Sequence, residues 1–116
     1  MGLQVLITEL DVDDSKVQGD ERERDRVVAK CYYDYVTQVV PAGKSERIIF
    51  WTPSDRWDWL NSMQPAKFHR EDGKPHRPGL LDDSLRRKPA LDAVEAALRA
   101  LSGSKSRPGE WGDRNR

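Results

Sequence analysis

Apolar and polar positions alternate in blocks along this chain, and the spacing within each block differs. Val5, Leu6 and Ile7 form a short continuous apolar run, the pattern of a strand covered on both faces, and predict a strand over about residues 4–10. Residues 11–18 are polar and read as a loop. Val27, Val28, Cys31, Tyr32, Tyr35, Val36 and Val39 then recur at helical spacing and predict a helix from Asp20 to about Val40. Asp20 suits the N-cap, and Glu21 and Glu23 suit the first turn, where negative charge meets the positive end of the helix dipole. Pro41 and Gly43 end the pattern. Ile48, Ile49, Phe50 and Trp51 form a second continuous run and predict a strand over about residues 47–51. The stretch 52–88 is broken by Pro53, Pro65, Gly73, Pro75, Pro78 and Gly79 and reads as a long loop, with short helical turns near residues 55–63. Pro89 opens a last helix with Ala90, Leu91, Val94, Ala97, Leu98 and Leu101 as its stripe. Gly103 ends it.

The order strand, helix, strand, long loop, helix is two βα units in succession, which implies parallel strands. Residues 1–103 are therefore expected to form an α/β segment, and residues 104–116 a polar, disordered tail. Apolar residues make up 36% and charged residues 34% of the 116, so little side chain is available for an independent core. The formal net charge of zero argues against a nucleic-acid or anionic-membrane partner. No apolar run reaches the ~20 residues of a membrane-spanning helix. A single cysteine excludes an intrachain disulfide, and Cys31, on the helix stripe, is expected in the core.

Candidate chemistry gathers where the two strands end. Glu9 falls at the tip of the first strand, and Asp11 is expected on the same side because strand side chains alternate with period two. Read from the residues alone, Glu9 is either catalytic or a buried carboxylate paired with an arginine. Asp11 is either a second reactive carboxylate or a loop aspartate. Three of the four tryptophans, Trp51, Trp57 and Trp59, lie after the second strand. Flat indoles suit the C–H face of a sugar ring, and their N–H groups can donate to hydroxyls; core packing is the competing use. Trp111 lies in the tail and is read as incidental. A calcium loop starting at Asp11 fails, because its sixth position is Lys16 and its twelfth is Arg22. His69 and His76 lack partners for a zinc site and are expected to be solvated loop histidines. The charge run at 21–26 reads as a solvated helix face. No metal or cofactor is implied.

Residues 2–12, Gly-Leu-Gln-Val-Leu-Ile-Thr-Glu-Leu-Asp-Val, resemble the active-site signature of glycoside hydrolase family 10, the endo-β-1,4-xylanases. Residues 50–60 resemble the family's last-strand segment, in which two tryptophans eight residues apart line the sugar subsites; Trp51 and Trp59 keep that spacing, while Thr52 replaces a familiar glycine and Trp57 a usual tyrosine. Residues 77–93, with Lys88-Pro89-Ala90, resemble the family's ending. The resemblance implies a partial (β/α)8 TIM barrel comprising the last two of eight βα units. It implies a retaining endo-1,4-β-xylanase acting on β-1,4-xylan or xylo-oligosaccharides, with Glu9 as nucleophile, Trp51 and Trp59 as substrate-binding residues and Asp11 in the hydrogen-bond network that supports Glu9. The family's acid/base is a glutamate in an Asn-Glu pair on the fourth strand, and no Asn-Glu occurs here. The alternative expectation is thus a truncated, inactive remnant, or a piece that needs the missing N-terminal barrel portion. Met1 leads directly into the first strand without a leader, whereas the resemblance implies a secreted parent, so location is left open.

Overall fold

The computed structural model describes residues 5–40, 45–62 and 66–103. Pro41 and Gly43 as helix terminators, the start of the signature at 2–4, and the tail at 104–116 with Trp111 lie outside the described residues. Strand β1 (Val5–Leu10) is followed by helix α1 (Glu21–Val39), strand β2 (Ser45–Phe50), a 3₁₀ turn (Asp55–Trp57), the short helix α2 (Trp59–Ser62), a second 3₁₀ turn (Ala66–Phe68) and helix α3 (Pro89–Leu101). β1 and β2 pair in parallel, as the βα order requires. No helix among the described residues is long and apolar enough to cross a membrane.

Local chemistry explains the boundaries. The Asp20 carboxylate accepts from the Glu23 backbone N–H at 2.8 Å, and the Glu23 carboxylate accepts from the Asp20 N–H at 2.8 Å. This reciprocal capping box satisfies two donors that would otherwise be orphaned at the start of α1. Pro89 occupies the first turn of α3, where its missing N–H costs nothing. Gly103, at φ +72°, takes the left-handed conformation that ends the helix.

The core lies between the sheet and the two long helices. Val28, Ala29, Tyr32 and Val36 of α1 meet Ala90, Ala93, Val94 and Ala97 of α3, with Ile7 and Leu10 of β1 and Leu80 beneath them. Small residues on α3 let the helix backbones approach closely. Tyr32 joins three elements: its ring stands edge-on to Phe50 at 5.9 Å, and its hydroxyl donates to the Pro78 carbonyl at 2.8 Å. Burial holds its phenol far above the usual range.

Several expectations are corrected. Val5 and Leu6 are exposed, as are Ile49 and Trp51, so the strands are not covered on both faces by the described residues. Only one row of the α1 stripe is buried; the row Val27, Cys31, Tyr35 and Val39 faces outward, and Cys31 is exposed rather than in the core. The helical period marked a wide apolar arc, but α3 and the sheet cover only part of it. The run at 21–26 is not all solvated: Arg24 and Asp25 turn inward.

One tight contact fixes the long loop. A bridge joins Ser54 to Leu81, and Gly79 donates to the Asp55 carboxylate at 2.7 Å. A Cβ at Gly79 would lie 2.6 Å from the Asp55 backbone nitrogen and 2.8 Å from the Ser54 carbonyl carbon. Backbone atoms cannot swing aside, so Gly79→Ala is expected to destabilise the fold by about 1–3 kcal/mol, the range for overpacking. Urea denaturation monitored by circular dichroism checks this; an unchanged midpoint would show that the loop gives way.

Candidate active site

β1 does not run straight to its tip. The pairing steps from Ile7↔Ile48 to Leu10↔Phe50, so three residues of β1 advance against two of β2. That is a bulge, which kinks a strand and re-aims its side chains. Glu9 sits inside it at φ +57°, a left-handed conformation unusual for a residue with a Cβ and one that costs of order 1 kcal/mol or more. The expected strict alternation therefore breaks at Glu9. Its side chain is exposed and lines an open cavity of about 430 Å³ with Thr8, Asp11, Cys31, Tyr32 and Tyr35.

Asp11 lies just beyond the strand, half-buried, and accepts from the Trp59 indole N–H at 2.8 Å and from the Val12 N–H at 3.0 Å. Burial raises its pKa, while the bond from Trp59 opposes the rise. Two of the residues singled out in the sequence, 48 positions apart, are thus directly bonded. The Trp59 ring also rests against Phe68, with centroids 5.8 Å apart. Trp51 follows β2, and its N–H donates to the Leu10 carbonyl at 3.0 Å, which sets it beside the end of β1. Its side chain is 52% exposed and that of Trp57 59%, so neither is core packing here. The Arg56 guanidinium lies 5.5 Å from the Trp57 ring and covers one face of it.

A buried ionic cluster that sequence reasoning missed holds these loops together. Asp14, fully buried, accepts from His76 Nδ1 at 2.5 Å, from Arg24 at 2.9 Å and from the Arg77 N–H at 2.9 Å. His76 Nε2 faces the Phe68 carbonyl at 2.7 Å. Both ring nitrogens thus face oxygen atoms of the protein. His76 is therefore buried and hydrogen-bonded at both ring nitrogens, not the solvated histidine expected. Arg70 donates to the backbone carbonyls of Asp14 and Val17 and to Asp72, whose carboxyl it holds well below the usual range. Arg77 binds Asp25 through two nitrogens, at 3.0 and 2.9 Å, and this partner raises its pKa. Lys88 donates to Asp55 at 2.7 Å and to the Arg77 carbonyl at 2.7 Å. Burial raises the Asp55 pKa and Lys88 opposes it. Donor atoms of Asp13, Asp14 and His76 lie within 4.8 Å of one another. Arginine and histidine nitrogens already occupy the Asp14 oxygens, so groups of the protein itself stand where a metal would. The sequence signal was faint: aspartates in the loop after the signature, and basic residues scattered through the long loop without periodicity.

Fold and site define a βα-repeat segment that presents a carboxylate and indoles at the C-terminal ends of two parallel strands. The model of glycosyl hydrolase family 10 matches residues 1–97, and the chain belongs to this family. Among solved structures it is similar to xylanase 10B from Thermotoga maritima (TM-score 0.64, 22% identity, covering 85% of this chain and 28% of that one). It is also similar to a mutant of Xylanase10C from Cellvibrio japonicus in complex with xylopentaose (TM-score 0.65, 27% identity, covering 90% and 22%). A thermostable mutant of a Cellvibrio japonicus xylanase gives a TM-score of 0.59 at 28% identity, covering 87% and 31%. The chain thus spans less than a third of the length of these structures. No curated protein matches it.

Proposed function

We propose that this chain is the C-terminal part of a retaining endo-1,4-β-xylanase barrel, contributing the nucleophile Glu9 and the sugar platforms Trp51 and Trp59. The observation that supports this is the Asp11–Trp59 hydrogen bond, which ties together the loops after two successive strands, two residues beyond Glu9. Enzymes with βα barrels do their chemistry at that end of the strands. The names of the similar structures, one of them bound to xylopentaose, support xylan or xylo-oligosaccharides as substrate. Glu9 attacks the anomeric carbon, the glycosidic bond breaks, and the leaving oxygen takes a proton from a second carboxyl group about 5 Å from the nucleophile. Water then hydrolyses the glycosyl ester. Asp11 supports the strand tip and fixes Trp59.

That second carboxyl group belongs to the rest of the barrel, since the chain holds no Asn-Glu pair. A specific observation favours the remnant reading for the chain by itself. The apolar residues Val5, Leu6, Ile49, Val27, Tyr35 and Val39 all face outward, and a two-stranded sheet with open edges is a poor independent fold. The test is turnover of an aryl β-xylobioside with a very good leaving group, which hardly needs the acid. The purified chain is expected to match its Glu9→Ala variant at background. Turnover that depends on Glu9 would show that the segment alone builds a working site.

A further inference from the structure

Asp58 is the residue of the second loop that the mechanism leaves unused, and its surroundings are unusual. It joins the 3₁₀ turn to α2: its N–H donates to the Asp55 carbonyl at 3.3 Å, and its own carbonyl accepts from the Asn61 N–H at 3.2 Å. The next residue is Trp59. The side chain is only 1% exposed. Oδ1 accepts one long bond from the Leu60 N–H at 3.3 Å, and Oδ2 is buried without a hydrogen-bond partner among the described residues. The groups facing it by charge are Asp11 and Asp14 from the loop after β1, Tyr32 from α1 and His76 from the loop before α3. An anion with an unpartnered buried oxygen and two carboxylates nearby is costly, whereas a neutral carboxyl is tolerated.

We infer that Asp58 is a positioning residue for Trp59, holding the start of α2 in place while it carries a proton and loosening the indole from Asp11 when it ionises. The coupling is geometric. Trp59 is tied through its backbone to Asp58 and through its indole to Asp11. Ionisation at residue 58 therefore adds to the negative charge that Asp13 and Asp14 already set against the carboxylate that grips the ring. Burial is the main cause that pushes the Asp58 carboxyl up to about 6; Asp11 and Asp14 add to the rise, and the Leu60 N–H and His76 oppose it. A carboxyl raised above its ordinary value contributes stability that is full below about pH 4 and is lost as the pH rises through about 6. The arrangement would thus hold Trp59 on the acid side of neutrality. The consequence for sugar binding rests on the xylan reading; the positioning of the ring does not.

The experiment follows the Trp59 indole N–H in ¹H–¹⁵N spectra of the full chain, assigned by Trp59→Phe among four tryptophans. Between about pH 4.5 and 8 the Trp59 peak is expected to move with a midpoint near 6. In Asp58→Asn it is expected to keep its acid-side position throughout, and Asp58→Ser serves as a second uncharged variant should the amide fail to fold. A wild-type peak that stays flat, or one that titrates equally in both uncharged variants, overturns the proposal. Xylotriose affinity, measured with this chain in place of the last two βα units of a full-length family 10 barrel, then separates the two readings. It is expected to fall at least about threefold between acid and neutral pH in the wild type and to stay level in Asp58→Asn. A titrating peak without xylotriose binding at any pH upholds the positioning role and overturns the substrate.

Discussion

Glu9→Ala is expected to abolish xylan cleavage, by roughly 10³-fold or more, in a chimera where this chain replaces the last two βα units of a full-length family 10 barrel. The chimera supplies the six other strands and the acid that the segment lacks. The magnitude follows from the role. A nucleophile forms the bond that stabilises the transition state, and each tenfold in rate is about 1.4 kcal/mol. The exposed, bulged position of Glu9 leaves few structural consequences for its removal, so the variant should fold as the parent does. Azide separates the two explanations for any loss. It is small enough to enter the space of the missing carboxylate, and attack from that face restores cleavage and yields an α-glycosyl azide. Activity within about tenfold of the parent, a loss of only about 1.4 kcal/mol, would remove Glu9 from the mechanism.

Asp14→Asn is expected to cost about 3–5 kcal/mol, the usual consequence of removing one partner from a buried ion cluster. Asp14 is fully buried and serves His76, Arg24 and the Arg77 N–H at once, with Arg70 at 3.8 Å. Asparagine keeps the shape but turns one acceptor into a donor aimed at donors. The guanidinium of Arg24, already with an unpartnered buried Nε, would lose its counter-charge. Against a total stability of about 5–15 kcal/mol for an ordinary domain, the loss should leave the chain close to unfolding. Asp34→Asn provides the contrast. Its ion pair with Lys30 is a surface i,i+4 pair, and its removal should lower stability far less. Chemical denaturation of both variants decides the matter; equal small losses would show that the cluster is not what holds the loops. The cluster also bears on function, because it ties the loop that carries Asp11 to the one before α3, against which Trp59 packs through Phe68.

Much of the architecture was legible because it is local. Asp20 and Glu23, three residues apart, cap α1 without help from elsewhere, and Pro89 and Gly103 mark the ends of α3. The order of the elements implied parallel strands, and they are parallel. Glu9, Asp11, Trp51 and Trp59 could be picked out because each stands at a strand end or at a fixed spacing from one.

What the sequence could not yield depends on contacts between distant segments. A helical period reports which residues share an arc, not how much of that arc a neighbour covers, so Cys31 and Tyr35 were grouped with Tyr32 although only Tyr32 is buried. Period two assumes an unbroken strand, and the bulge at Glu9 arises from pairing with β2. His76 and Arg24 read as solvated because nothing near them in the chain is their partner; Asp14 lies 62 and 10 positions away. The chain by itself determined the elements, their order and the residues with chemical potential, through local backbone preference and side-chain spacing. Only the tertiary structure decided which charges are buried, that Asp11 holds Trp59, and that one carboxylate oxygen of Asp58 has no partner among the described residues, because burial and long-range pairing are set by packing and not by spacing along the chain.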